Sequence, residues 1–170
     1  MATPTARPEL NPVGNPKENL KLYCQTVGLD ERDFIEVPGR PGIFISAVNL
    51  TPQICAAMEE TSTKRGGHNR KLRAKAVAQY QHFINSGGFD FTGQTIIVSL
   101  LWCLLDGHHR TSAGKSADNS FAALVVFGIP DHLFDIIDNS FGRSLADNME
   151  LAGEGRTALA RQCHQHANHR

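Results

Sequence analysis

The chain has 170 residues, with 17 Lys+Arg balanced by 17 Asp+Glu and a formal net charge of zero. That length fits one domain with a real core. The balance excludes a protein whose whole field attracts nucleic acid or anionic membrane, while leaving room for a local basic patch. Four cysteines, Cys24, Cys55, Cys103 and Cys163, are scattered without a Cys-x-x-Cys pair, so neither a disulfide framework nor a cysteine zinc site is expected. No apolar run approaches the roughly 20 residues needed to span a bilayer, and no basic-then-apolar leader opens the chain. The expectation is a soluble, cytoplasmic protein with no membrane partner.

Residues 1–41 read as a flexible arm. Pro4, Pro8, Pro12 and Pro16 stand among few large apolar groups. Within the arm, residues 17–27 can form a short helix with Leu20, Tyr23 and Cys24 on one side. Residues 30–33 are a charged turn, and Pro38-Gly39-Arg40-Pro41-Gly42 is a loop. The domain is expected to start at 42. Residues 43–48 are β-branched and aromatic, hence a strand. Thr51-Pro52 is a helix start, a hydroxyl cap followed by proline at the first helical position. Ile54, Ala57 and Met58 share a face of that helix, which should end near 61–63.

Residues 64–75 are basic, with no acid between Glu60 and Asp90. Two readings stay open for this run: a solvated loop and helix face, or a surface for phosphates. From about 72 the spacing turns helical, and Leu72, Ala76, Tyr80, Phe83 and Ile84 can share a buried face until Ser86-Gly87-Gly88 ends the helix. Residues 95–99 and 102–105 read as a hairpin without a strong turn signal. Residues 121–127 read as a strand buried on both faces. Gly128-Ile129-Pro130 ends it and starts a helix with Leu133, Phe134, Ile136 and Ile137 as its apolar face. Ser144, with Asp147 three residues on, can cap another helix. The tail, 154–170, reads as a helix that frays. Cys163, His166 and His169 share its spacing, but a solvated helix is favoured over a metal site there, and no metal ligands are assigned.

The centre of the sequence is Leu104-Leu105-Asp106-Gly107-His108-His109-Arg110. A strand, a tight glycine turn and a helix start together suit an anion. The first N–H groups of a helix lack partners within it, and the dipole adds positive charge there. Gly107 allows close approach, Arg110 offers a bidentate fork, and His108 and His109 can donate, accept or move protons. Asp106 is open to two readings: a Mg²⁺ ligand or base, or simply a turn residue.

Several segments in order, Thr51-Pro52, Asn69-Arg70, Gly87, Leu104 to Arg110, Gly128 to Pro130, Ile137-Asp138 and Arg143-Ser144, resemble the ParB/sulfiredoxin superfamily. More narrowly, the chain resembles the superfamily's phage and bacterial members with Asp-Gly-Gln/His-His-Arg. The resemblance covers about 43–153. It implies a small α/β (α+β) domain over 42–153, with a mixed sheet and a nucleotide-phosphate site at the glycine turn. Sulfiredoxins have a cysteine before His-Arg, where this chain has His108. Serine kinases of the family add a glutamate after the first strand, where this chain has Asn49-Leu50-Thr51. Chromosome-partition members carry a helix-turn-helix domain that the short tail here does not supply.

The function expected on this resemblance is nucleotide binding in phage or mobile-element DNA metabolism or modification. The alternatives are a small phosphotransferase or nucleotide hydrolase, and a regulatory module with a vestigial site. The implied ligands are ATP or CTP, with Mg²⁺ and DNA as further partners. Asp106 and His109 are the candidate catalytic residues. Gly107, His108, Arg110, Asn69 and Arg70 are candidate phosphate ligands, with Asp138 and Arg143 as loop partners.

Overall fold

In the computed structural model, Asn15 caps the first helix, α1 (Pro16–Val27), by accepting from the Lys17 N–H, and Gly28 closes it in a left-handed conformation. The structure describes residues 14–66, 72–134 and 137, all within one compact unit of the chain. The expected cap of the second helix is also seen: Thr51 accepts from the Ile54 N–H, Pro52 sits in the first turn, and α2 runs Pro52–Lys64. The remaining elements are β1 (Ile35–Glu36), β2 (Phe44–Leu50), α3 (Ala74–Asn85), β3 (Thr95–Ser99), β4 (Leu104–Asp106), α4 (His108–Lys115) and β5 (Phe121–Ile129).

The fold is mixed α+β, as expected. Five strands lie in the order β1-β2-β5-β3-β4. β5 pairs antiparallel with β2 and parallel with β3, and β4 returns antiparallel on β3. A parallel β3/β5 pair needs a crossover. Here β4, the glycine turn and α4 supply it, so the central motif lies on the connection between two neighbouring strands. α4 packs against both α2 and α3.

The core begins earlier than the boundary expected at 42. Leu20, Tyr23, Cys24 and Val27 of α1 are buried in the same cluster as the sheet. The reason lies in long-range pairing. Tyr23 meets Phe127 at 5.2 Å and Trp102 at 5.9 Å between ring centroids. The Trp102 indole N–H donates to Asn19 Oδ1 at 2.8 Å, and the Asn19 amide donates to the Leu100 carbonyl at 2.9 Å. The arm's helix is thereby pinned to the β3–β4 turn. Trp102 belongs to that turn rather than to the expected strand, with φ at +69°, and β4 starts only at Leu104. A non-glycine residue at positive φ costs local energy, which surrounding contacts must offset. The edge-on contact with Tyr23, the Asn19 bond and the Arg65 guanidinium 4.5 Å over the ring do so.

Three further expectations change. Tyr80 and Ile84 of α3 face the core as expected, but Phe83 is 42 % exposed and Val77 packs inward. β5 is not buried on both faces: its pattern alternates, with Ala122 exposed and Leu124 and Val126 half-buried. Pro130 precedes a short 3-10 turn, Asp131–Leu133, rather than sitting inside a helix. Cys24, Cys55 and Cys103 are buried, as expected for Cys55 and Cys103. The expected helix cap at Ser144, the tail helix and Cys163 lie outside the described residues.

Gly114 sets the distance of α4 from the sheet. A Cβ there would lie 2.6 Å from Phe121 Cε1 and 2.7 Å from Cys55 Sγ. Gly114→Ala should therefore lower stability by roughly 1–3 kcal/mol although alanine favours helix, because overpacking outweighs propensity. Chemical denaturation measures this, and an unchanged or raised midpoint would show that α4 can lift without cost.

Candidate functional site

The site is built on the β4–α4 turn. Gly107 has φ +91°, and a Cβ on it would come within 2.8 Å of Ile96 Cγ1 and 3.3 Å of the Ile96 backbone. The glycine is thus required twice, by the left-handed turn and by close passage over β3. Asp106 locks the turn: its Oδ1 accepts from the Gly107 N–H at 2.6 Å. Its Oδ2 faces the Arg110 guanidinium at 3.3 Å, and Arg110 Nη2 also donates to the Thr95 carbonyl at 2.8 Å. Arg110 is 8 % exposed. These contacts fold its side chain back under the turn toward β3. The bonds made by Asp106 and Arg110 build the turn, which is the turn-residue reading of Asp106.

The two histidines diverge. His109 Nε2 accepts from the Arg73 backbone N–H at 3.0 Å. Arg73 is the cap residue of α3 and makes no side-chain cap of its own. His109 therefore ties the start of α3 to α4. That bond requires Nε2 unprotonated, so the nitrogen is occupied structurally rather than open to a substrate proton. His108 faces α2. Its Nδ1 is buried without a hydrogen-bond partner, 3.6 Å from Glu59 Oε1.

Glu59 is the residue that sequence reasoning missed. It is 8 % exposed, and it collects three groups of α4. The Thr111 hydroxyl lies 3.3 Å from Oε1, the Lys115 ammonium 3.2 Å from Oε2, and His108 beside Oε1. A signal was present in the sequence. Cys55, Met58, Glu59 and Ser62 follow helical spacing on the buried face of α2, and a carboxylate on such a face needs buried partners.

Burial pushes the His108 imidazole below its ordinary value near 6.5. Glu59 opposes that shift, while His109 and Lys115 add to it. The ring is therefore a neutral base near neutral pH.

The expected basic surface is partly committed elsewhere. Lys64 pairs with Glu60 at 2.7 Å, and Arg65 covers Trp102. Arg73 and Lys75 are exposed. Asn69, Arg70, Asp138 and Arg143 lie outside the described residues. Among the described residues no group of three His, Cys, Asp or Glu side chains is arranged to hold a metal ion, and no helix is long and apolar enough to cross a membrane. Comparison with protein-family models, curated proteins and solved structures found no match.

Two outcomes follow from this geometry. Arg110→Ala should cost roughly 1–3 kcal/mol of stability, because the Thr95 carbonyl and the Asp106 carboxylate lose their shared donor. Urea unfolding checks it, and a variant as stable as the parent would show that Arg110 does not brace the turn. The second outcome concerns pH. His108 binds its proton less readily folded than unfolded, so the unfolded state takes up more protons as pH falls through about 6.5. This contribution is fully present above that value and is lost on acidification toward the lower folded-state value. The midpoint difference between the parent and His108→Asn should therefore shift against the parent on going from about pH 8 to about pH 5.5. Parallel melting curves at the two pH values would contradict it.

Proposed function

We propose that the chain binds the phosphate of a nucleotide at the N-terminus of α4. The observation that carries this reading is the start of α4. The Gly107 N–H is taken by Asp106, while the N–H groups of His108 and His109 stand at the first two helical positions without an acceptor in the helix. The helix dipole favours an anion there. The Arg73 backbone N–H bonds to the His109 ring, which brings the start of α3 to the first turn of α4.

The choice of a nucleotide, ATP or CTP, rests on the resemblance of Asp106 to Arg110 to the ParB/sulfiredoxin superfamily. So does the proposed setting in phage or mobile-element DNA metabolism. A mixed sheet with the glycine turn on a strand crossover is consistent with that resemblance. In this reading Arg110 holds the turn in shape for the phosphate. The backbone, with His108 at its edge, meets the ligand.

Thermal unfolding with ATP, CTP and the matching nucleosides tests it. A ligand that binds only the folded chain raises stability by mass action, about 2.7 kcal/mol at a hundredfold excess over Kd. One nucleotide should raise the midpoint while its nucleoside does not. A midpoint unmoved by every nucleotide at millimolar concentration would reject the phosphate site.

A further inference from the structure

His108 and His109 stand side by side on α4 but face different helices, because successive helical side chains point about 100° apart. His108 faces α2. Its Nδ1 is buried without a partner, 3.6 Å from Glu59 Oε1. Glu59 is itself buried and fixed, with the Thr111 hydroxyl 3.3 Å from Oε1 and the Lys115 ammonium 3.2 Å from Oε2. His109 faces α3, where its Nε2 accepts from the Arg73 N–H at 3.0 Å. Arg73 is the cap residue of α3, so this bond ties the head of that helix to α4.

A proton has opposite consequences at the two contacts. An imidazole that gains one carries N–H on both nitrogens and can no longer accept. At His109 the added proton goes to Nε2 and sets a donor against the Arg73 N–H, so the tie to α3 is lost. At His108 the imidazolium presents a charged N–H to a carboxylate already held in place. A charge-assisted bond is shorter than the 3.6 Å seen here, so making it draws the first turn of α4 toward α2.

We propose that His108 and His109 form a proton-operated switch that moves the first turn of α4 from α3 to α2. With both rings neutral, the turn is tied to α3 and the α2 contact is open. As pH falls through the imidazole range, the first contact opens and the second closes. Burial resists the proton on His108, so its contact closes only below the ordinary value near 6.5. The groups acting on His108 are Glu59 from α2 and His109 and Lys115 from α4. Among the described residues, His109 meets Arg73 from α3 and His108 beside it. No ligand enters either contact, so the switch is independent of the phosphate reading.

Amide hydrogen exchange and imidazole nitrogen NMR on the full chain, from about pH 8 to about pH 5.5, test the switch. Corrected for intrinsic exchange, protection of the Arg73 N–H should fall roughly tenfold in the parent, the equivalent of one lost hydrogen bond. His109→Gln puts an acceptor that does not titrate near the ring nitrogen's place, and there the protection should stay constant. The amides of α2 around Glu59 should shift with the His108 titration. Glu59→Gln should lower the His108 midpoint by roughly one pH unit. Lys115→Gln should raise it, because the ammonium no longer competes for the carboxylate.

Arg73 protection that is constant in the parent, or that falls equally in His109→Gln, overturns the proposal. So do α2 amides that ignore the His108 titration, or a His108 midpoint that neither Glu59→Gln nor Lys115→Gln moves. Far-ultraviolet dichroism confirms that each variant is folded. If Glu59→Gln does not fold, the half-exposed Lys115 decides the α2 side alone, and a midpoint unmoved in Lys115→Gln rejects it.

Discussion

The close approach of α4 to the sheet is the constraint on which the candidate site depends. Gly114 lets the helix sit against Phe121 and Cys55, and Gly107 lets the preceding turn pass directly over Ile96. Both glycines are forced by steric contact, and Gly107 by its positive φ as well. With the helix held this near, Glu59 can reach Thr111 and Lys115 directly, and Arg110 can reach the Thr95 carbonyl. A helix raised by the thickness of a methyl group would lengthen all of these bonds together.

The electrostatics follow from that spacing. A buried carboxylate is costly unless it is paired and hydrogen-bonded. Glu59 meets this requirement with one ammonium and one hydroxyl. His108 does not meet it at Nδ1, which is buried without a partner. An unpaired buried polar nitrogen costs on the order of 1–3 kcal/mol. Asp106 contrasts with it. Both its oxygens are engaged in holding the turn, so its chemistry is spent on shape.

Much of the fold was legible locally. The Thr51-Pro52 cap, the glycines after α3 and the β-branched runs of β2, β3 and β5 each announce an element through short-range physics. What failed depended on distant partners. Nothing in residues 14–28 reveals that Asn19 and Tyr23 will meet Trp102 and Phe127, so the arm looked detachable. Phe83 was placed inward by spacing along with Tyr80 and Ile84, but α3 is rotated so that Val77 packs against the core and Phe83 faces out. At the site, the motif gave the turn and the helix start correctly. It did not give Glu59, because a partner 49 positions before His108 is supplied by a different helix whose orientation only the packed structure fixes.

Helical geometry also explains why one motif reads differently in space than in line. Successive residues of a helix point about 100° apart. His108, His109 and Arg110 therefore diverge onto three neighbours: His108 toward α2 and Glu59, His109 toward the start of α3, and Arg110 toward β3 and Thr95. Thr111, three positions after His108, returns to the α2 side and meets the same carboxylate. Three adjacent residues that look like one cluster in the sequence thus become two braces, His109 and Arg110, and one histidine set against a buried carboxylate. The donors left without an acceptor in the helix are the backbone N–H groups of His108 and His109. Substitutions at His109 and Arg110 should accordingly act first on the shape of that backbone.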